Sequence, residues 1–211
     1  MRTLDKEAQQ ALTPACAIDL LKQGNHRFVN NLKANRDLLQ QANSTVAGQF
    51  PFAIILSCID SRTSAELIFD QGLGDIFSAR IAGNIVNDDI LGSMEFACKL
   101  AGSKLIVVLG HSHCGAVKGA CSNAKLEHLT GLLDKIKPSV EAVRKESAEL
   151  EGEKLVQQVA ETNVKTTVEQ ITQNSQVLKE MIDNGEIGIV GGMYNIESGH
   201  VEFFPNPHIH T

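Results

Sequence analysis

The chain has 211 residues, 43% hydrophobic and 21% charged, and carries a net charge of −6. That length supports one sizeable core, and the composition is that of a packed domain rather than a disordered or fibrous one. The acidic balance argues against nucleic acid or an anionic membrane as the main partner, and no apolar run approaches the roughly 18 residues of a spanning helix.

The opening "MRTLDKEAQQALTPAC" lacks the apolar centre of a secretory signal, so a cytoplasmic location is the default expectation. Ile18, Leu21, Phe28 and Leu32 fall near helical spacing, and residues 1–50 read as helical. "PFAIILSC" is a short apolar run fit for a buried strand. "SAELIFDQ" reads as a helix closed by Gly72 and Gly74, and "DIFSARIAG" as a second strand. Asn87 or Asp88 can cap a helix running to Leu100, with Ile90, Met94, Ala97 and Ala101 on one face. "KLIVVLG" is the clearest strand, and "CGAVKGAC" begins a helix after it. Over 154–184 a single stripe of Val164, Val168, Ile171, Ser175, Leu178 and Ile182 predicts one long helix, ended by Gly185. "EIGIVGGMYNI" and "HVEFF" read as strands joined by a turn at Glu197-Ser198-Gly199, and the tail as irregular. The Gly191-Gly192 pair is no phosphate loop, because neither a helix start nor a lysine follows. Alternating strands and helices imply an α/β fold with a mainly parallel sheet, about four parallel strands plus an antiparallel edge strand, flanked by helices. In such sheets ligands bind beyond the carboxyl ends of the strands.

Two candidate ligand groups sit at such ends. Cys58 closes the first strand, and His111 and Cys114 follow the third, inside "LGHSHCGAVKG". Two thiolates and an imidazole suit zinc with one tetrahedral position left open, although a closed structural site with a fourth ligand competes. An isolated H-x-x-C arises by chance, and a lone cysteine at a strand end is ordinarily core. The neighbouring "CIDSR" shifts the balance, because Asp60 and Arg62 alternate with Cys58 along one wall. There a carboxylate can accept a hydrogen bond from a metal-bound water, and a guanidinium can hold it bidentately. Five cysteines cannot all pair, which favours metal binding or free thiols over a disulfide scaffold. Cys98 lies on a buried stripe and reads as core, Cys16 and Cys121 have no readable partner, and His113 reads as a loop residue pointing elsewhere. His208 and His210 read as solvated.

"CIDSR" followed by "HSHC" resembles the β-class carbonic anhydrases, with their C-x-D-x-R and H-x-x-C. "ELIFDQGLGDIFSARIAGN", "GSMEFA", "LGHSHCGAVKGA" and "IVGGMYNIESGHV" are similar to family segments in family order, so the resemblance covers roughly residues 15–204. It implies a lyase that reversibly hydrates carbon dioxide to bicarbonate and a proton, using zinc-bound hydroxide and one zinc per chain. The implied ligands are Cys58, His111 and Cys114, with Asp60 as a fourth ligand only in a closed, inactive state. Asp60 and Arg62 match the catalytic dyad, and Gln49 the substrate-orienting glutamine. Phe77, Ala82 and Phe96 match the apolar substrate pocket, and Gly115 the glycine whose N–H lies by the site. Ala82 is smaller and Phe96 less polar than in some relatives, and Ile59 and Ile81 depart from commoner polar residues without removing a needed group.

The resemblance also implies a homodimer or a dimer of dimers, in which each pocket borrows residues from its neighbour. Residues 1–50 would then form a helical arm packing on the partner subunit, and 51–211 the zinc-binding core. Some members carry an inhibitory bicarbonate site built from a tryptophan, an arginine and a tyrosine. Here the tryptophan position is Ile55, while Arg80 matches the arginine and Tyr194 is expected to pack, so an open, non-allosteric enzyme is expected. Two alternatives stay open: a carbon disulfide or carbonyl sulfide hydrolase on the same fold, and a non-catalytic zinc-stabilised module.

Overall fold

The apolar run after Pro51 forms strand β1 (Ala53–Ser57), all five residues buried, at the heart of a sheet. A computed structural model describes residues 3–205; the predictions for His208, His210 and the end of the tail lie outside them. β1 pairs in parallel with β2 (Ile76–Arg80) on one side and with β3 (Leu105–His111) on the other. β3 pairs in parallel with β4 (Gly188–Tyr194), and β5 (Val201–Phe203) closes that edge antiparallel, giving the order β2-β1-β3-β4-β5. The α/β expectation, four parallel strands and an antiparallel edge, holds. From β1 the chain moves to β2 on one side and then crosses back to β3 on the other, so the crevice between the carboxyl ends of β1 and β3 is the switch point.

Side chains alternate across the sheet. Ile54, Leu56, Ile106 and Val108 face a core completed by α5 (Asp88–Glu95), α6 (Gly115–Cys121), α7 (Glu127–Asp134), α8 (Lys137–Glu146), α9 (Gly152–Asn174) and α10 (Gln176–Asp183). Ala53, Ile55, Leu105 and Val107 face the second core, with α2 (Pro14–Val29) and α4 (Ala65–Ile68). α1 (Lys6–Ala11) is tied to its own chain by Gln9, whose buried amide donates to the carbonyls of Pro51 and Ala101, each at 2.8 Å. α3 (Leu38–Ser44) leads into β1. Gly110 and Gly191 let α9 press onto the sheet: a Cβ at either would meet Val164 at 2.5 or 2.7 Å. The glycine pair thus serves packing.

Four elements differ from the sequence reading. The long helix breaks at Ser175, whose backbone is extended and whose hydroxyl donates to Glu95 Oε1 at 2.6 Å while capping Leu178 N–H at 3.2 Å. α4 is a single turn, ended by Asp70 at φ 44. The α5 helix, capped by Asn87, widens into a π turn (Phe96–Leu100). α2 stops at Val29, so Leu32 is exposed outside it. α7 and α8 occupy a stretch to which the sequence reading assigns no element.

Candidate metal centre

At the switch point, Cys58 follows the end of β1, His111 ends β3, and Cys114 caps α6. Their ligand atoms all lie within 4.8 Å of one another, and all three residues are buried. Among the described residues no fourth His, Cys, Asp or Glu joins this group, which leaves one side of the set open.

The donor chemistry fits a divalent soft-to-borderline cation. His111 Nδ1 lies 2.9 Å from the Ser112 carbonyl, which can only accept, so Nδ1 carries the proton. Nε2 is then a bare lone pair, buried and without a hydrogen-bond partner, as a metal ligand should be. The two thiols crowd each other. A hydrogen bond from Cys114, with a further one from the Gly83 amide, outweighs burial and lowers the Cys58 thiol. Cys58 and burial together push the Cys114 thiol up. A cation held between them would let both thiolates form. Gly83, at φ 69, delivers its N–H to Cys58 Sγ at 3.3 Å, and Asn163 fixes the Gly83 carbonyl at 2.9 Å.

Asp60 stands beside this group. Arg62 Nε donates to Oδ1 at 2.9 Å and Nη2 to Oδ2 at 2.8 Å, and the Arg62 amide adds a third bond at 3.0 Å. The Arg62 side chain, with a smaller opposing effect of burial, holds the Asp60 carboxyl at about 2. Gly115 opens α6 beside the ligands, with open space where a Cβ would be.

The remaining sequence candidates lie elsewhere in the chain. Gln49 is exposed in the segment before the amino end of β1, whereas Cys58 follows its carboxyl end. Phe77 and Phe96 meet edge to face at 6.2 Å between ring centres. They line a groove with Ile54, Ala79 and Ile90 that none of the three ligand candidates touches. Ala82 sits half-buried in the turn after β2. His113 turns toward Glu197 at 3.4 Å instead of joining the ligands. Cys98 is core, its thiol pushed up to about 12 by burial. Gly83, and Asn163 behind it, support the site without a sequence signal, and Arg80, noted in the sequence only as a match to an inhibitory-site arginine, instead binds the Cys58 and Asp60 carbonyls.

Comparison with known proteins is consistent along the chain. A family model described as carbonic anhydrase matches residues 53–201. Carbonic anhydrase 2 of Mycobacterium tuberculosis is 36% identical over 192 residues, covering 88% of this chain and 90% of the relative. Among solved structures, a β-carbonic anhydrase of Aspergillus fumigatus aligns with a TM-score of 0.74 at 27% identity, covering 82% of this chain and 83% of that one. A tetrameric β-carbonic anhydrase of Sordaria macrospora aligns with a TM-score of 0.72 at 26% identity, covering 77% and 85%.

Proposed function

We propose roles for the site residues from one premise: the chain belongs to the β class of the carbonic anhydrase family, and so catalyses the zinc-dependent, reversible hydration of carbon dioxide. Cys58 and Cys114, as thiolates, and His111, through Nε2, are the residues that would hold the metal. Zinc, when bound, supplies a Lewis acid that makes a water nucleophilic near neutral pH. Cys58 and Cys114 bring two negative charges to it, so activity should favour the alkaline side relative to a three-histidine site.

Asp60, ionised and gripped by Arg62, accepts a hydrogen bond from the attacking water and aims it at the carbon. Gln49 donates to a substrate oxygen as charge develops there, and the Gly115 amide faces the same space. Phe77, Ala82 and Phe96 offer an apolar wall to an apolar substrate. Because Gln49 precedes β1 while the ligands follow β1 and β3, and because the Phe77–Phe96 groove includes none of the ligands, these residues are assigned to a neighbouring copy's site, and the working unit is a homodimer or a pair of dimers. Residues 1–50 take part in that contact. A cytoplasmic setting fits five cysteines that are all free. Among the described residues no helix is long and apolar enough to cross a membrane.

The observation that carries this reading is the buried three-donor group of Cys58, His111 and Cys114 with the Asp60–Arg62 pair beside it. The test is stopped-flow hydration of carbon dioxide with zinc quantified on the same sample. The wild type should bind one zinc per chain and be active. Cys58→Ser should lose both metal and activity, while His113→Ala should keep the metal. Hydration at background rate by zinc-loaded wild type would refute the reading, as would full zinc in Cys58→Ser.

A further inference from the structure

The ladder between β1 and β2 ends at the pair Ser57–Arg80. Past it the chain turns away through residues 58–63, and the carbonyls of that turn lose their strand partners, which backbone chemistry does not leave bare. The Arg80 side chain takes over there. Its Nε and Nη2 donate to the Cys58 carbonyl at 3.0 and 2.9 Å, and Nη2 also donates to the Asp60 carbonyl at 2.6 Å. Thr63 completes the knot. Its hydroxyl lies 3.0 Å from the Cys58 carbonyl and 2.9 Å from that of Asp60, and Arg80 Nη2 approaches it at 3.3 Å.

We propose that Arg80 is a positioning residue for carbon dioxide hydration: it ties the turn carrying Cys58 and Asp60 to the sheet. Arg62 cannot do this. It lies in the same turn as Asp60, so their bidentate pair orients the carboxylate within the turn, and the whole turn could still shift as one piece. Arg80 belongs to β2 and supplies the missing anchor. A guanidinium suits the task, because its donors form a rigid, permanently charged fork that spans two carbonyls, whereas an ammonium is a point. Cys58 has a second restraint in the Gly83 amide, so losing Arg80 should affect Asp60 more than it affects metal retention. Misplacement of a reacting group by about 1 Å can cost a hundredfold in rate.

The inference rests on the hydration activity, which the wild type, run alongside, tests separately. Arg80→Gln and Arg80→Lys are assayed for kcat and KM, zinc content, and the rate of zinc transfer to a chromophoric chelator. A double variant with Asp60→Asn completes the set. Arg80→Gln should lower kcat about tenfold with KM within about twofold, keep its zinc, and release it a few-fold faster. Arg80→Lys should recover little. In the Asp60→Asn background, Arg80→Gln should cost almost nothing further, because the residue through which it acts is gone. Unchanged kcat in zinc-replete Arg80→Gln, a kcat loss that merely tracks zinc loss, or full additivity with Asp60→Asn would each overturn the proposal. If Arg80→Gln fails to fold, Thr63→Val removes the hydroxyl from the same carbonyls. It should show a smaller kcat loss with the same non-additivity, and additivity there overturns the proposal equally.

Discussion

In its proposed role Asp60 works only as an anion with a fixed direction. Its carboxyl, held at about 2 by Arg62, stays ionised throughout the neutral and alkaline range, so its protonation cannot be what lowers the rate there. Asp60→Asn keeps the shape and loses the charge. It should retain zinc and lose about 10²–10³ in kcat, which stopped-flow assays with metal analysis would check; a near-normal rate would make the pair merely structural. A second prediction concerns bicarbonate. Ile55 is fully buried, Tyr194 packs in the core, and the Arg80 fork is engaged with the turn. No anion site of the inhibitory kind is therefore expected, and bicarbonate titrated at fixed pH should give ordinary product inhibition; sigmoidal inhibition would contradict it. Cys58, His111, Cys114, Asp60 and Arg62 could be picked out from the sequence because ligand and dyad chemistry reside in residue identity and short spacing. Arg80 and Gly83 could not be given their contacts that way, since these depend on where a neighbouring strand ends.

At the level of elements, the segment between α2 and β1 is pinned by one carboxylate. Asp70, buried, accepts from Arg27 Nε at 2.5 Å, Arg36 Nη1 at 2.6 Å and the Ala34 amide at 3.2 Å. Burial pushes this carboxyl up, but the bonds from Arg27, Ala34 and Arg36 outweigh it, and the net shift is downward. A lowered pKa in the folded state means that Asp70 stabilises the fold above its unfolded value of about 3.9 and loses this as pH falls through the lower folded value. Asp70→Asn leaves two guanidiniums without their anion and should cost about 3 kcal/mol at pH 7. That gap in melting behaviour should narrow as the pH falls below the unfolded value of about 3.9; a gap unchanged by acid would show that the charge is not responsible. The same residue explains why α4 is one turn, because Asp70 leaves the helix at positive φ to meet Arg27 and Arg36. The break at Ser175 has a similar origin. A hydrophobic stripe runs straight through it, yet Ser175 starts a new helix by capping the Leu178 N–H while its hydroxyl is held by Glu95, distant in sequence. Periodicity reads local spacing and cannot register such partners. At α8, by contrast, the capping Ile136 and, within the helix, Val140 and Val143 are buried at helical spacing, and there the pattern is present in the sequence.

The whole molecule divides its proposed catalytic parts between two ends of the sheet. The five residues of β1 rise about 16 Å, with Gln49 before one end and Cys58 and Asp60 beyond the other. An extended β1 keeps these segments toward opposite ends of one strand, whereas a two-fold dimer can place one subunit's Gln49 at its partner's Asp60, since such an interface is reciprocal. Exposed Phe96 and Ile59, 53% and 60% accessible, give the contact apolar surface to bury. Complementation tests this directly. Gln49→Ala and Asp60→Asn should each be nearly inactive as homodimers. After the two are unfolded and refolded together in equal amounts, half the dimers are mixed, and in each of these one site joins a native Asp60 to a native Gln49 from opposite subunits. Activity should return to about a quarter of the wild-type value per site. If Gln49 served its own chain, every site in the mixed dimers would still lack one of the two groups. Activity would then stay at the level of the single variants, and the shared-site reading would fail.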